Sequence, residues 1–290
     1  MNKIQGTGVA LITPFQKDKT IDYKGLEKLI YYVIKGGVDY IVLMGTTGEN
    51  TALTLQEKTE IINFCKKTIK NKLPIVLGIG GNNTLKIIEE IKNTSFNGIS
   101  AILSVSPYYN KPSQSGIYDH YKLISEHSPL PIIMYNVPSR TGNNILAKTT
   151  ISLANDCNNI IGIKEASGDI NQIMKIINEK PKNFMVISGD DNLTLPMIYL
   201  GAKGVISVIG QLYPKEYSKM VNYALKRNIL QANKLHYNLY KYYEPLYEEG
   251  NPTGIKAALE IIGICKKHVR APLTHASNKI IRKLKNLTIQ

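Results

Sequence analysis

The chain is 290 residues long, 43 % hydrophobic and 20 % charged, which suits one large core-forming domain and excludes a disordered chain. Its net charge of +14 rests on 36 basic residues, of which Arg140, Arg227, Arg270 and Arg282 are the only arginines. Lysines scattered through every segment argue against a nucleic-acid surface, where arginine patches dominate.

Short β-branched runs recur at intervals of roughly thirty residues. In chain order they predict strands over Gly8–Ile12, Tyr40–Met44, Ile75–Gly78, Ile99–Leu103, Ile132–Tyr135, Ile160–Lys164, Phe184–Ser188 and Gly204–Val208. Each is almost continuously apolar, as a strand buried on both faces should be. Between them, Tyr23–Lys35, Gln56–Ile69 and Thr84–Ile91 carry apolar residues at helical spacing, and Lys35-Gly36-Gly37 reads as a helix stop. Eight strands alternating with helices predict an α/β fold, a (β/α)8 TIM barrel spanning residues 1–224. Beyond it, Leu225–Tyr247 and Thr253–His268 read as helices broken at Gly250-Asn251-Pro252, forming a C-terminal helical extension over 225–290. No apolar run approaches the ~20 residues of a membrane span. Val9–Ile12 is too short for a signal peptide and meets Thr13-Pro14 at once. Cys65, Cys157 and Cys265 form no CxxC pair, which fits a reducing cytoplasm.

In such barrels the chemistry sits at the C-terminal ends of the strands. Strand six ends in Lys164, followed by Glu165-Ala166-Ser167-Gly168-Asp169. Desolvation there favours the neutral amine, which can attack a ketone to form a Schiff base. A lysine snorkelling to water is the plainer alternative. Strand two ends in Gly45-Thr46-Thr47-Gly48-Glu49, where hydroxyls and backbone N–H groups can hold a carboxylate, or simply make a solvated turn. Tyr135 ends strand five, either as a proton donor and acceptor or as a half-buried packing residue. Arg140 follows in a loop shaped by Pro138 and Gly142, placed to take a carboxylate bidentately or to make a surface ion pair. Tyr108-Tyr109, between Pro107 and Pro112, forms a stiff aromatic loop suited to subunit contacts. Gly78-Ile79-Gly80 lacks the third glycine of a dinucleotide fingerprint, Asn83 standing there. His120, His127, His236, His268 and His275 all lie off the strand ends, so no metal site is expected.

Taken together, Gly8-Val9 through Thr13-Pro14, GTTGE, SPYYNKP, YNVPSRTG, GIKEASGD, SGDD, GVISV, and Asn251-Pro252 with Lys256-Ala257-Ala258-Leu259 resemble the dihydrodipicolinate synthase family. That family belongs to the pyruvate-dependent aldolases that include N-acetylneuraminate lyase. The resemblance runs along nearly the whole chain. It implies condensation of pyruvate with aspartate 4-semialdehyde in the diaminopimelate and lysine route, without a cofactor. It gives Lys164 the Schiff base and Tyr135 the proton transfers. Thr46 and Tyr109 extend Tyr135 into a relay, with Tyr109 entering from a neighbouring subunit of a homotetramer (a dimer of dimers) or a dimer. Thr47 holds the pyruvate carboxylate, Arg140 the semialdehyde carboxylate, and Gly189 and the Ile206 carbonyl line the pocket. The rivals are N-acetylneuraminate lyase, against which Thr46-Thr47, Tyr109 and Arg140 argue, and a non-catalytic binding barrel, against which Lys164, Tyr135 and Arg140 argue.

Two departures stand out. Asn50, Thr51, Leu55, Lys58, Asn82, Lys86 and Tyr108 match the positions at which many relatives bind lysine as a feedback inhibitor. Leu55 and Lys58 replace frequent histidines there, and Lys86 replaces an acidic residue, so weak or absent lysine inhibition is expected. Gly254 replaces a proline usual after Asn-Pro and is expected to loosen a helix start.

Overall fold

Apolar runs of four to six residues, bounded by turn residues and too short for helices, become the inner wall of the fold. The computed structural model describes residues 4–288. In chain order it places β1 (Gly6–Ala10), α1 (Tyr23–Lys35), β2 (Tyr40–Leu43), α2 (Leu55–Ile69), β3 (Ile75–Gly78), α3 (Thr84–Asn93), β4 (Ala101–Val105) and α4 (Gln114–His127). There follow β5 (Ile132–Asn136), α5 (Pro138–Thr141), α6 (Ala147–Asp156), β6 (Ile160–Glu165), α7 (Ile170–Glu179), β7 (Met185–Ser188), α8 (Thr194–Leu200), β8 (Gly204–Ser207) and α9 (Pro214–Leu225). Three more helices close the chain: α10 (Ile229–Tyr247), α11 (Thr253–Ile261) and α12 (Asn278–Thr288).

The strands form one closed barrel in the order β1 to β8, and the recorded pairings are parallel, as the alternating pattern predicts. Nearly every strand residue is buried, which explains the continuous apolar runs. The helices carry their own start signals. Asp22 caps α1 through the Gly25 N–H, Thr54 and Glu57 form a capping box on α2, and Asp169 caps α7 through the Gln172 N–H.

The chain packs as two compact units. Among the described residues, the first comprises 4–74 and 207–288. Here α9 lies on β1, α10 lies along α9, and α11 and α12 pack on α10. Gln211 reaches back to accept the Ile12 N–H at 2.8 Å. The second unit, 75–206, holds β3 to β7, the β8 residues up to Ile206, and their helices. No helix among the described residues is long and apolar enough to cross a membrane.

Several boundaries differ from expectation. β1 and β4 are shifted by two residues in opposite directions: β1 takes in Gly6-Thr7 and β4 takes in Ser104-Val105, so a polar residue that is buried within the strand hid each end. The helix expected over Leu225–Tyr247 begins only at Ile229. Arg227 takes a left-handed backbone (φ 60°) and Asn228 caps the new helix through Gln231, so α9 and α10 are separate. The helix expected over Thr253–His268 stops at Ile261, before Gly263 at φ 72°. Gly254 is the second residue of α11. A Cβ there would stand 2.2 Å from the Leu246 carbonyl oxygen, so the glycine marks a close backbone approach.

Candidate active site

In the second unit, β5 and β6 run in a register that sets Tyr135 beside Lys164 and Asn136 beside Glu165. Lys164 is only 7 % exposed, an unusual burial for a lysine. Its Nζ lies 4.1 Å from the centroid of the Tyr135 ring, which is equally buried. A cation held over an aromatic face is stabilised there. The aromatic ring thus gives the amine a fixed position close to a phenol on the adjacent strand.

Gly189, just past β7, leaves room for this lysine. A Cβ at 189 would stand 3.1 Å from Lys164 Cε and 2.6 Å from the Ala166 Cβ. Burial pushes the neighbouring Asp190 carboxyl above the usual carboxylate range, while the charge of Lys164 pulls it back down. Ile206 is buried at 1 % on β8.

Arg140 sits in α5, which Pro138 opens and Gly142 closes through its N–H to the Pro138 carbonyl at 2.8 Å. Its side chain is exposed. Asn143 Nδ2 donates to the Pro112 carbonyl at 2.8 Å, and Gln114 Nε2 donates to the Asn144 carbonyl at 2.8 Å. These bonds tie the Arg140 arm to the loop after β4. That loop carries Tyr109, which is 88 % exposed and held at φ 73°.

In the first unit, Thr46–Gly48 forms a single 3-10 turn after β2. Thr46 is exposed and Thr47 is 3 % exposed. Thr47 Oγ1 accepts from Asn251 Nδ2 at 2.9 Å, and the Gly48 carbonyl accepts from Thr13 Oγ1 at 2.7 Å. Glu49 follows at φ 53° and takes the fully buried Lys256 as its ion-pair partner, while its other oxygen accepts the Arg270 N–H at 2.9 Å. Burial pushes the Lys256 ammonium down to about 8, against the pull of the Glu49 charge.

The seven positions matched to an inhibitor site divide between the units. Asn50, Thr51, Leu55 and Lys58 belong to the first, with Leu55 75 % exposed. Asn82, Lys86 and Tyr108 belong to the second, where Asn82 and Lys86 are exposed. Among the described residues no group of three or more His, Cys, Asp or Glu side chains could hold a metal ion.

Sequence reasoning left Asn136, Glu165, Gln172, Asn251 and Lys256 without roles, although the structure ties them to the candidate residues. A signal was present: Glu165 ends an apolar strand and Lys256 lies in the apolar run Ile255–Leu259. A charge so placed must find partners.

A closed parallel barrel with a buried lysine and tyrosine at adjacent strand ends belongs to the (β/α)8 barrel enzymes, which work from that end of the strands. Residues 3–290 match the model of the dihydrodipicolinate synthetase family. A 4-hydroxy-tetrahydrodipicolinate synthase from Flavobacterium psychrophilum is 50 % identical over 290 residues, covering 100 % of this chain and 99 % of the relative. The crystal structure of a dihydrodipicolinate synthase from Thermotoga maritima has a TM-score of 0.96 at 36 % identity, covering 99 % of this chain and 98 % of that one. Another, from Cyanidioschyzon merolae with lysine bound, has a TM-score of 0.95 at 35 % identity, covering 100 % and 98 %. The chain belongs to the dihydrodipicolinate synthetase family.

Proposed function

We propose that this barrel condenses pyruvate with aspartate 4-semialdehyde to 4-hydroxy-tetrahydrodipicolinate through a Schiff base on Lys164. Family membership carries the reaction, which belongs to lysine and diaminopimelate biosynthesis. The observation that carries the residue assignment is the Lys164 amine, buried at a strand end over the Tyr135 ring.

The chemistry follows from those groups. The Lys164 amine attacks the pyruvate ketone carbon, and water leaves to form the imine. The imine acidifies the methyl group, which loses a proton to give an enamine. The enamine carbon attacks the aldehyde carbon, and the developing alkoxide takes a proton from Tyr135. The amino group of the former semialdehyde then attacks the imine carbon and expels the lysine amine, closing the ring.

The remaining roles rest on resemblance. Thr46 and Tyr109 pass protons to and from Tyr135. Thr47 holds the pyruvate carboxylate, and Gly189 and the Ile206 carbonyl shape its pocket. Arg140 takes the semialdehyde carboxylate, for which its exposure on a short arm beyond β5 suits it. Tyr109, exposed in a single chain, completes the relay of a neighbouring subunit, so the working form is a dimer or a dimer of dimers. The three buried cysteines are all free, which accords with a cytoplasmic enzyme.

Pyruvate consumption with two aldehydes tests this reading. Turnover with aspartate 4-semialdehyde and none with N-acetylmannosamine is expected. Turnover with the sugar alone would move the chain to the lyase branch and leave Arg140 without a purpose.

A further inference from the structure

The residue after Lys164 is a carboxylate with no exposed surface. Glu165 has no cationic partner in its hydrogen-bond set. Its oxygens accept from Asn136 Nδ2 at 3.0 and 3.1 Å, from the Ser167 N–H at 2.8 Å and from Gln172 Nε2 at 3.2 Å. These donors come from three separate places: the end of β5, the loop after β6, and the first turn of α7. A buried carboxylate is costly and persists only where a cation or a full set of hydrogen-bond donors meets it, and here the donors are neutral. Burial accordingly raises its pKa, while these hydrogen bonds hold it down.

The donors then reach further. Asn136 Nδ2 also donates to Asn144 Oδ1 at 2.8 Å, and Asn136 Oδ1 accepts the Ile145 N–H at 3.0 Å. Asn144 Nδ2 donates to Gln172 Oε1 at 2.9 Å, and Gln172 Nε2 also reaches the Ile145 carbonyl at 3.3 Å. The segment from Asn136 to Ile145 is therefore clasped at both ends, and Arg140 stands in the middle of it. The α5 turn inside it is four residues long, far too short to hold a shape by itself. Its orientation depends on where the loop is tied: beside the bonds to Pro112 and Gln114, its neck is fastened to Glu165.

We propose that Glu165 is a positioning residue for the Arg140 arm, and that its buried carboxylate, acting through Asn136, Asn144 and Gln172, sets where the guanidinium meets the second substrate. The proposal rests on the reading of Arg140 as the clamp for the semialdehyde carboxylate. Glu165 touches no reacting atom in this scheme. Its partners are acceptor-dependent: a glutamine at 165 keeps the shape but turns an N–H2 group toward the N–H2 of Asn136, and the clasp at the neck opens.

The test is a kinetic cycle on the full enzyme with Glu165→Gln, Arg140→Ala and the double variant. With Glu165→Gln, the KM for aspartate 4-semialdehyde should rise about tenfold or more. The KM for pyruvate and borohydride trapping of pyruvate should stay within about twofold of the parent. In the double variant, kcat/KM for the semialdehyde should be no worse than in Arg140→Ala alone, because a misplaced arm without its guanidinium has nothing left to lose. Multiplying penalties would show that Glu165 acts elsewhere and would overturn the proposal. An unaltered semialdehyde KM in Glu165→Gln would do the same. If Arg140→Ala itself leaves the semialdehyde KM unchanged, the clamp reading has failed instead. Should Glu165→Gln not fold, Gln172→Met removes one donor to Glu165 and the link to Asn144, and should raise the semialdehyde KM selectively by a smaller factor. Equal effects on both substrates would count against the proposal.

Discussion

Lys256 and Glu49 form an ion pair in which neither side chain is more than 2 % exposed, and it joins the turn after β2 to α11. Lys256 also donates to the His268 carbonyl at 2.8 Å and lies 4.2 Å from the centroid of the Phe15 ring. The C-terminal helices therefore hold the Thr46–Gly48 turn by a charge as well as by the Asn251–Thr47 bond. Removing one partner leaves the other charge buried alone. Lys256→Met should destabilise the fold by about 3–5 kcal/mol, seen as a lower denaturant midpoint. Lys256→Met with Glu49→Gln should recover a large part of that loss. A single variant as stable as the parent would show that the pair holds nothing in place.

His120 is 4 % exposed, and burial pushes its pKa down from 6.5 to about 4. Its Nδ1 pairs with Thr84 Oγ1 at 2.9 Å, linking α4 to the first turn of α3. The fold prefers the neutral ring, so the unfolded chain binds the extra proton first as pH falls. Stability from this site is complete above about 6.5 and is lost as pH drops toward 4, by up to about 3 kcal/mol. The difference in unfolding free energy between the parent and His120→Gln, measured from pH 7 to pH 4.5, should shift in favour of the variant as pH falls. A difference independent of pH would mean that the ring titrates normally.

Gly189 is set by close approach rather than by a special backbone angle. Its would-be Cβ lies 3.1 Å from Lys164 Cε, so Gly189→Ala presses on the lysine proposed to form the imine. The kcat/KM for pyruvate should fall at least tenfold with the far-ultraviolet spectrum unchanged, at a cost of more than about 1.4 kcal/mol in the transition state. Parent-like kinetics would mean that the lysine has other room to move.

Lysine should inhibit this enzyme weakly or not at all. Lys86, exposed on α3, would repel the inhibitor's amine where an acidic residue would bind it, and Leu55 offers no hydrogen bond. Initial rates should be insensitive to sub-millimolar lysine. Half-inhibition in that range would show that another side chain receives the amine.

The barrel was legible because strands buried on both faces are apolar throughout and return at a regular spacing. Buried polar residues inside two strands, Thr7 in β1 and Ser104 in β4, hid their exact ends. Lys164 and Tyr135 were legible as polar residues closing apolar runs, and the register then made them neighbours. The Glu165 clasp was not, because its partners Asn136, Asn144 and Gln172 are polar residues near turns and helix starts, where such residues are ordinary. Nor was the Lys256–Glu49 pair, since 207 residues separate its members and no local spacing encodes the contact. The break at Arg227 escaped notice because a left-handed arginine leaves no compositional mark.

The most direct measurement is borohydride reduction of the enzyme in the presence of pyruvate, followed by mass spectrometry of its peptides. A reduced pyruvate adduct on the peptide carrying Lys164, and none in a folded Lys164→Ala variant, is the predicted result. An adduct that persists in Lys164→Ala, or a folded, active parent that cannot be trapped at Lys164, would contradict the assignment of this lysine as the Schiff-base residue.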